Sequence, residues 1–107
     1  MMGVSPTAFF EGVSDLGLAG VGINCGKSLE DNKNALEELA RQTALPIWFK
    51  PNAGLPKIGS DGLPTYDVAP KEMAEQVPGW IKSGARIVGG CCGTSPEHLQ
   101  EIALKAK

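Results

Sequence analysis

Apolar positions along the chain alternate between helical and extended spacing. After Ser5-Pro6, an N-cap followed by a first-turn proline, Ala8, Phe9, Val13 and Leu16 recur at helical spacing and predict a helix ending near Gly17. Leu18 to Cys25 is a short apolar run bounded by glycine and reads as a buried strand. Ser28 then caps a helix carrying Leu29, Ala35, Leu36, Leu39 and Ala40. The alternation continues with a strand over Pro46 to Lys50, a Gly/Pro-rich loop from Asn52 to Ala69, and a helix opened by Pro70 and interrupted at Pro78-Gly79. Gly84 closes that helix, Arg86-Ile87-Val88 forms a third strand, and Ser95-Pro96-Glu97 starts a last helix through Leu99, Ile102 and Leu104.

The resulting order, α-β-α-β-α-β-α, implies an α/β fold with a parallel sheet and right-handed crossovers. Three strands are too few for an open doubly wound sheet. They are also too few for a (β/α)8 TIM barrel, which needs eight strands and about 250 residues. The 107 residues therefore read as the C-terminal portion of such a barrel, about three β/α units, with unpaired strand edges if taken alone.

Composition narrows the function. A net charge of −2 with scattered lysines offers no concentrated positive face for a phosphate backbone, so nucleic acid is not expected as a partner. No run approaches the roughly 20 apolar residues that cross a bilayer, and Met1 to Phe10 lacks the pattern of a signal peptide, so a cytoplasmic protein is expected. Gly20-Val21-Gly22 is followed by Ile23, Asn24 and Cys25 rather than completing a dinucleotide fingerprint, and nucleotide binding is discounted.

The chemistry sits at the strand ends. Cys25 follows the first strand, Asn52 the second, and Cys91-Cys92 the third, all on the face where α/β folds gather their ligands. Three sulfurs leave one position of a tetrahedral metal open, whereas structural zinc usually takes four protein ligands. Adjacent cysteines in a regular strand would point to opposite faces, so the backbone must bend, and Gly89, Gly90 and Gly93 supply the freedom. Cys25 taken alone reads as a small buried hydrophobe before it reads as a ligand, and Cys91-Cys92 has a lesser alternative in a strained vicinal disulfide that leaves Cys25 unpaired.

Asn24-Cys25-Gly26, Lys50-Pro51-Asn52-Ala53-Gly54-Leu55-Pro56 and Gly89-Gly90-Cys91-Cys92-Gly93-Thr94-Ser95-Pro96-Glu97-His98 occur in that order. Together they resemble the zinc-dependent homocysteine S-methyltransferase family, which includes the homocysteine-binding domain of cobalamin-dependent methionine synthase and betaine-homocysteine methyltransferase. The likeness covers nearly the whole chain, and Met1 to Leu16 matches the helix before the first cysteine strand. It implies a (β/α)8 barrel of which residues 1–107 are units six to eight, with zinc ligands at Cys25, Cys91 and Cys92. It also implies a substrate-side role for Asn52, which otherwise reads as a turn asparagine satisfying local backbone groups.

The reaction so implied is methyl transfer to the thiol of homocysteine, giving methionine. A free thiol has a pKa of about 8.5, and coordination raises its thiolate fraction at neutral pH. Three thiolates and Zn²⁺ sum to −1, which leaves a further bound thiolate electron-rich. The donor is left open among a methylcorrinoid on another domain or protein, a betaine-like onium compound and S-methylmethionine. No side chain is assigned as a catalytic acid or base.

Strands one to five of the family barrel have no counterpart here, and with them go the groups expected to orient homocysteine. A chain or domain supplying those strands is thus an expected partner, and the isolated chain is expected to be inactive. The rival reading is a non-catalytic thiolate zinc-binding barrel remnant or assembly module. Among the other residues, His98 is expected at the surface or as a cap, Tyr66, Asp61 and Asp67 as solvated turn residues, and Trp48 and Phe49 as barrel- or helix-facing core. The long Asn52–Ala69 loop is a candidate lid or docking surface.

Overall fold

The computed structural model describes residues 4–107; the start of the segment expected to lead into the first helix, residues 1–3, lies outside them. Helix α1 spans Pro6–Val13, with the Ser5 hydroxyl accepting from the Ala8 N–H. It is shorter than the sequence pattern suggests, because Ser14 already ends it ahead of Gly17, whose φ is 71°. Strand β1 spans Val21–Cys25 and helix α2 spans Leu29–Gln42, the latter capped by the Ser28 hydroxyl on the Asp31 N–H.

Strand β2 covers Ile47–Pro51, β5 covers Ala85–Val88, and the three long strands form one parallel sheet in the order β1-β2-β5. Ile47 pairs with Ala85 but Trp48 with Ile87, so Arg86 is an extra residue bulged out of β5. The long loop after β2 is not structureless. It holds a two-stranded antiparallel ribbon, β3 (Lys57–Ile58) against β4 (Pro64–Thr65).

The expected interruption at Pro78 is present as two short helices, α3 (Pro70–Glu75) and α4 (Val77–Lys82). Pro78 has no N–H to donate to the Ala74 carbonyl, and its ring crowds that group, so the turn tightens at Gln76, whose N–H reaches Met73 instead. Helix α5 runs from Pro96 to Ala106.

One face of the sheet carries the core. Val21, Ile47, Phe49 and Ala85 meet Leu36 and Leu39 of α2, Met73 of α3, Val77 and Trp80 of α4, and Ile102 of α5. Phe49 and Trp80 pack edge to face with ring centroids 4.9 Å apart. Helix α1 flanks this layer, packing Phe10 against it and tying to α2 through the Thr7 N–H and hydroxyl, both 3.0 Å from Glu38 Oε2.

Among the described residues, the opposite face of the sheet carries no helix. Trp48 and Ile87, register partners on that face, are 47% and 48% exposed, and Gly22 beside them leaves room for the Trp48 backbone and Cβ. Phe49 therefore turns to the helices and Trp48 to the bare face. Within the described residues β1 and β5 each pair on one side only.

Candidate metal centre

Cys25 closes β1 in a conformation that residues with a Cβ seldom adopt, at φ 63°, and Gly26 follows at φ 85°. The two left-handed residues turn the chain sharply off the strand end. Buried Asn32, from the first turns of α2, braces this corner by donating its amide to the Cys25 carbonyl. Its side chain fills the space where a Cβ on residue 26 would stand, so only glycine fits there.

Cys91 and Cys92 lie beyond the end of β5. The Cys91 N–H bonds the Pro51 carbonyl at 2.9 Å, and the Thr94 N–H closes a turn on the Cys91 carbonyl at 3.1 Å. Gly93 takes the left-handed third position of that turn at φ 79°. The bonds to β2 run on through Gly89 and Cys91, and the turn that opens at Cys91 takes the chain out of extended geometry there, so the two successive side chains reach one place.

Asn52 joins the two corners. Its backbone N–H bonds the Cys25 carbonyl at 3.1 Å, its side-chain N–H₂ donates to the Gly26 carbonyl at 2.9 Å, and its Oδ1 accepts the Cys92 N–H at 2.9 Å. The local-turn reading of this asparagine falls short, because the backbone groups it satisfies belong to two other loops.

The three sulfurs converge within 4.8 Å of one another, the only such group of three metal-ligating side chains among the described residues. All three thiols are free, Cys25 and Cys91 half-buried and Cys92 exposed. Cys25 Sγ lies 3.0 Å from Cys91 Sγ, and the Asn24 amide donates to Cys25 Sγ at 3.4 Å. The contact with Cys91, partial burial and the neighbouring sulfurs push the Cys25 thiol up to about 11. The same contact, with Cys25 as donor, lowers Cys91. A zinc ion with bonds of about 2.3 Å would set its thiolates about 3.8 Å apart, within the spread found here, so the donor set fits a thiolate metal.

Two residues expected as bland surface groups have structural contacts at this site. Tyr66, half-buried, lays its ring on Gly93, leaving no room for a Cβ there. His98, read as a surface or cap residue, is 7% exposed; it completes a capping box with Ser95 and also reaches the Val68 carbonyl at 2.7 Å. Asn32 escaped notice altogether, although its signal was present: it occupies the Leu29, Asn32, Leu36, Leu39 stripe, where every other member is apolar. Asp67 stays in the exposed loop, its carboxyl held below the usual range by Lys57 at 3.1 Å.

Comparison with known proteins agrees with this architecture. The homocysteine S-methyltransferase family model matches residues 1–106. The chain is 38% identical over 104 residues to methionine synthase of Mycobacterium tuberculosis and 36% identical to that of Mycobacterium leprae. Each alignment takes in 96% of this chain but only 9% and 8% of those proteins. Among solved structures, the apo form of the homocysteine methyltransferase MmuM from Escherichia coli matches with a TM-score of 0.64 at 29% identity, over 92% of this chain and 30% of that one. Its metallated form matches with the same score, over 27% of its length. On the extent of the family match, the chain belongs to the homocysteine S-methyltransferase family.

Proposed function

We propose that residues 1–107 are the sixth to eighth β/α units of a (β/α)8 barrel that methylates the thiol of homocysteine to give methionine. The observation that carries this reading is the convergence of three free thiols at the C-terminal ends of adjacent parallel strands in a member of this family. The bare sheet face with Trp48 and Ile87 supports the barrel assignment, since those residues would line a barrel interior.

Cys25, Cys91 and Cys92 would hold zinc, which supplies a fourth coordination position where a substrate thiol is kept as thiolate near neutral pH. The protein's own work is positional. Asn32 and Asn52 fix the two cysteine corners, and Asn52 borders the place of the substrate as its binding residue. In the transfer, the sulfur–methyl bond forms as the donor–methyl bond breaks, and the thiol proton passes to solvent. The donor enters from another domain or protein, with a methylcorrinoid as one candidate. The 52–69 loop, which follows the C-terminal end of β2, is the candidate surface to receive that donor.

Groups that orient the amino and carboxylate ends of homocysteine belong to strands one to five, on a chain or domain that completes the barrel. A reducing, cytoplasmic setting suits three free thiols. No helix among the described residues is long and apolar enough to cross a membrane.

The test is zinc content of the chain purified under reducing conditions, beside Cys92→Ser. About one zinc per chain, lost in the variant, supports the site; methionine formation is then assayed with the remaining barrel supplied. A folded wild-type chain without zinc would count against the metal site, and a chain that holds zinc yet forms no methionine with the remaining barrel supplied would favour the rival reading, a zinc-binding remnant or assembly module.

A further inference from the structure

His98 makes more bonds than a helix cap needs. A capping box requires one acceptor on the third helical residue, usually from Glu or Gln. Here the Ser95 backbone N–H, which can only donate, lies 3.2 Å from His98 Nδ1, and Ser95 Oγ lies 2.8 Å from the same nitrogen. Nδ1 is therefore the acceptor, and the ring hydrogen sits on Nε2, which donates to the Val68 carbonyl at 2.7 Å. This second bond spans 30 residues of chain and joins the start of α5 to the far end of the long loop.

From Val68 a short ladder leads to the thiols. The Val68 N–H bonds the Ala53 carbonyl at 3.3 Å, closing the loop on itself, and the Ala53 N–H bonds the Cys92 carbonyl at 2.9 Å. Tyr66, two residues before Val68, rests its ring on Gly93. The loop is thus pinned at three points around the Cys91–Thr94 turn, and one pin is the imidazole.

We infer that His98 is a positioning residue for the cysteine turn, acting through Val68 rather than by touching metal or substrate. Its Nε2–H holds the loop end down, which keeps Tyr66 seated on Gly93 and the Ala53 N–H on the Cys92 carbonyl. The inference rests on the proposed metal reading for its consequence but not for its geometry.

Two substitutions separate tether from cap. His98→Asn keeps an acceptor for the Ser95 N–H but is too short to reach Val68. His98→Gln keeps the capping acceptor and carries an amide N–H at about the reach of Nε2. Hydrogen exchange on the full 107-residue chain should show the Ala53 and Val68 amides exchanging about fivefold faster in His98→Asn, the size of one lost hydrogen bond, with the Phe49 amide unchanged. His98→Gln should restore protection to within about twofold. Zinc transfer to a chelator should quicken in His98→Asn and not in His98→Gln. Equal protection of Ala53 in His98→Asn and wild type would overturn the inference, as would parallel loss at Phe49 or a failure of His98→Gln to rescue. If the wild-type chain holds no zinc, the metal reading fails, while the exchange comparison still decides the tether.

Discussion

Gly26→Ala is the sharpest single test of how the first cysteine is presented. At φ 85° an L-residue loses roughly 1–2 kcal/mol against the right-handed alternative. The new methyl would also occupy the volume of the Asn32 amide, expelling that side chain from a buried position and breaking its bond to the Cys25 carbonyl. Losing that bond costs about 0.5–1.5 kcal/mol, because the Cys25 carbonyl keeps the Asn52 N–H as a partner. The sum, about 1.5–3.5 kcal/mol, is a large share of the roughly 5–15 kcal/mol that holds a typical domain folded. Urea unfolding followed by tryptophan fluorescence measures it. A double-mutant cycle with Asn32→Ala then divides it, because removing the amide makes room for the methyl and leaves the backbone part alone. The expected coupling is about 0.5–1.5 kcal/mol. A Gly26→Ala chain within about 0.5 kcal/mol of wild type, or strict additivity in the cycle, would refute the account of this corner.

Further outcomes follow from the same contacts. Asn52→Ala removes the bonds to the Gly26 carbonyl and the Cys92 N–H, so it should cost about 1–3 kcal/mol in unfolding free energy and weaken zinc binding in equilibrium competition with a chelator. In metal-free protein near pH 8, alkylation read by peptide mass spectrometry should modify Cys91 before Cys25. Cys91 is shifted down as acceptor, while Cys25 stays protonated until about pH 11, and Cys25→Ser should change the rate at Cys91. Trp80→Ala should cost about 3–5 kcal/mol in urea unfolding, whereas Trp80→Phe should cost far less, because the indole N–H is buried without a partner and its removal forfeits no hydrogen bond.

The helices and strands were legible because their signals are local. Ser5-Pro6, Ser28 and Ser95-Pro96 mark helix starts that the structure keeps, and the runs before Cys25, before Lys50 and at Arg86–Val88 give the three strands of the sheet within a few residues. The interruption at Pro78 was legible for the same reason. The ribbon inside the long loop was not, since two-residue strands have too short a period to register. At the site, residue types and strand-end positions pointed to three cysteines that do converge, yet most of the bonds that arrange them come from afar. Asn32 reaches back only seven residues to its own corner, but Asn52 bonds two other loops and His98 acts over 30 residues. Spacing along a chain carries no record of such pairings.

The two tryptophans divide the molecule into separately observable halves. Trp80 is fully enclosed against Phe49, while Trp48 stands on the bare sheet face with Lys50 Nζ 4.7 Å from its ring centroid. A soluble quencher should therefore extinguish the emission of Trp48 and spare that of Trp80. Anything that covers the open face would shield the first without altering the second, so the chain carries a built-in optical gauge of whether that face is covered, distinct from its gauge of folding.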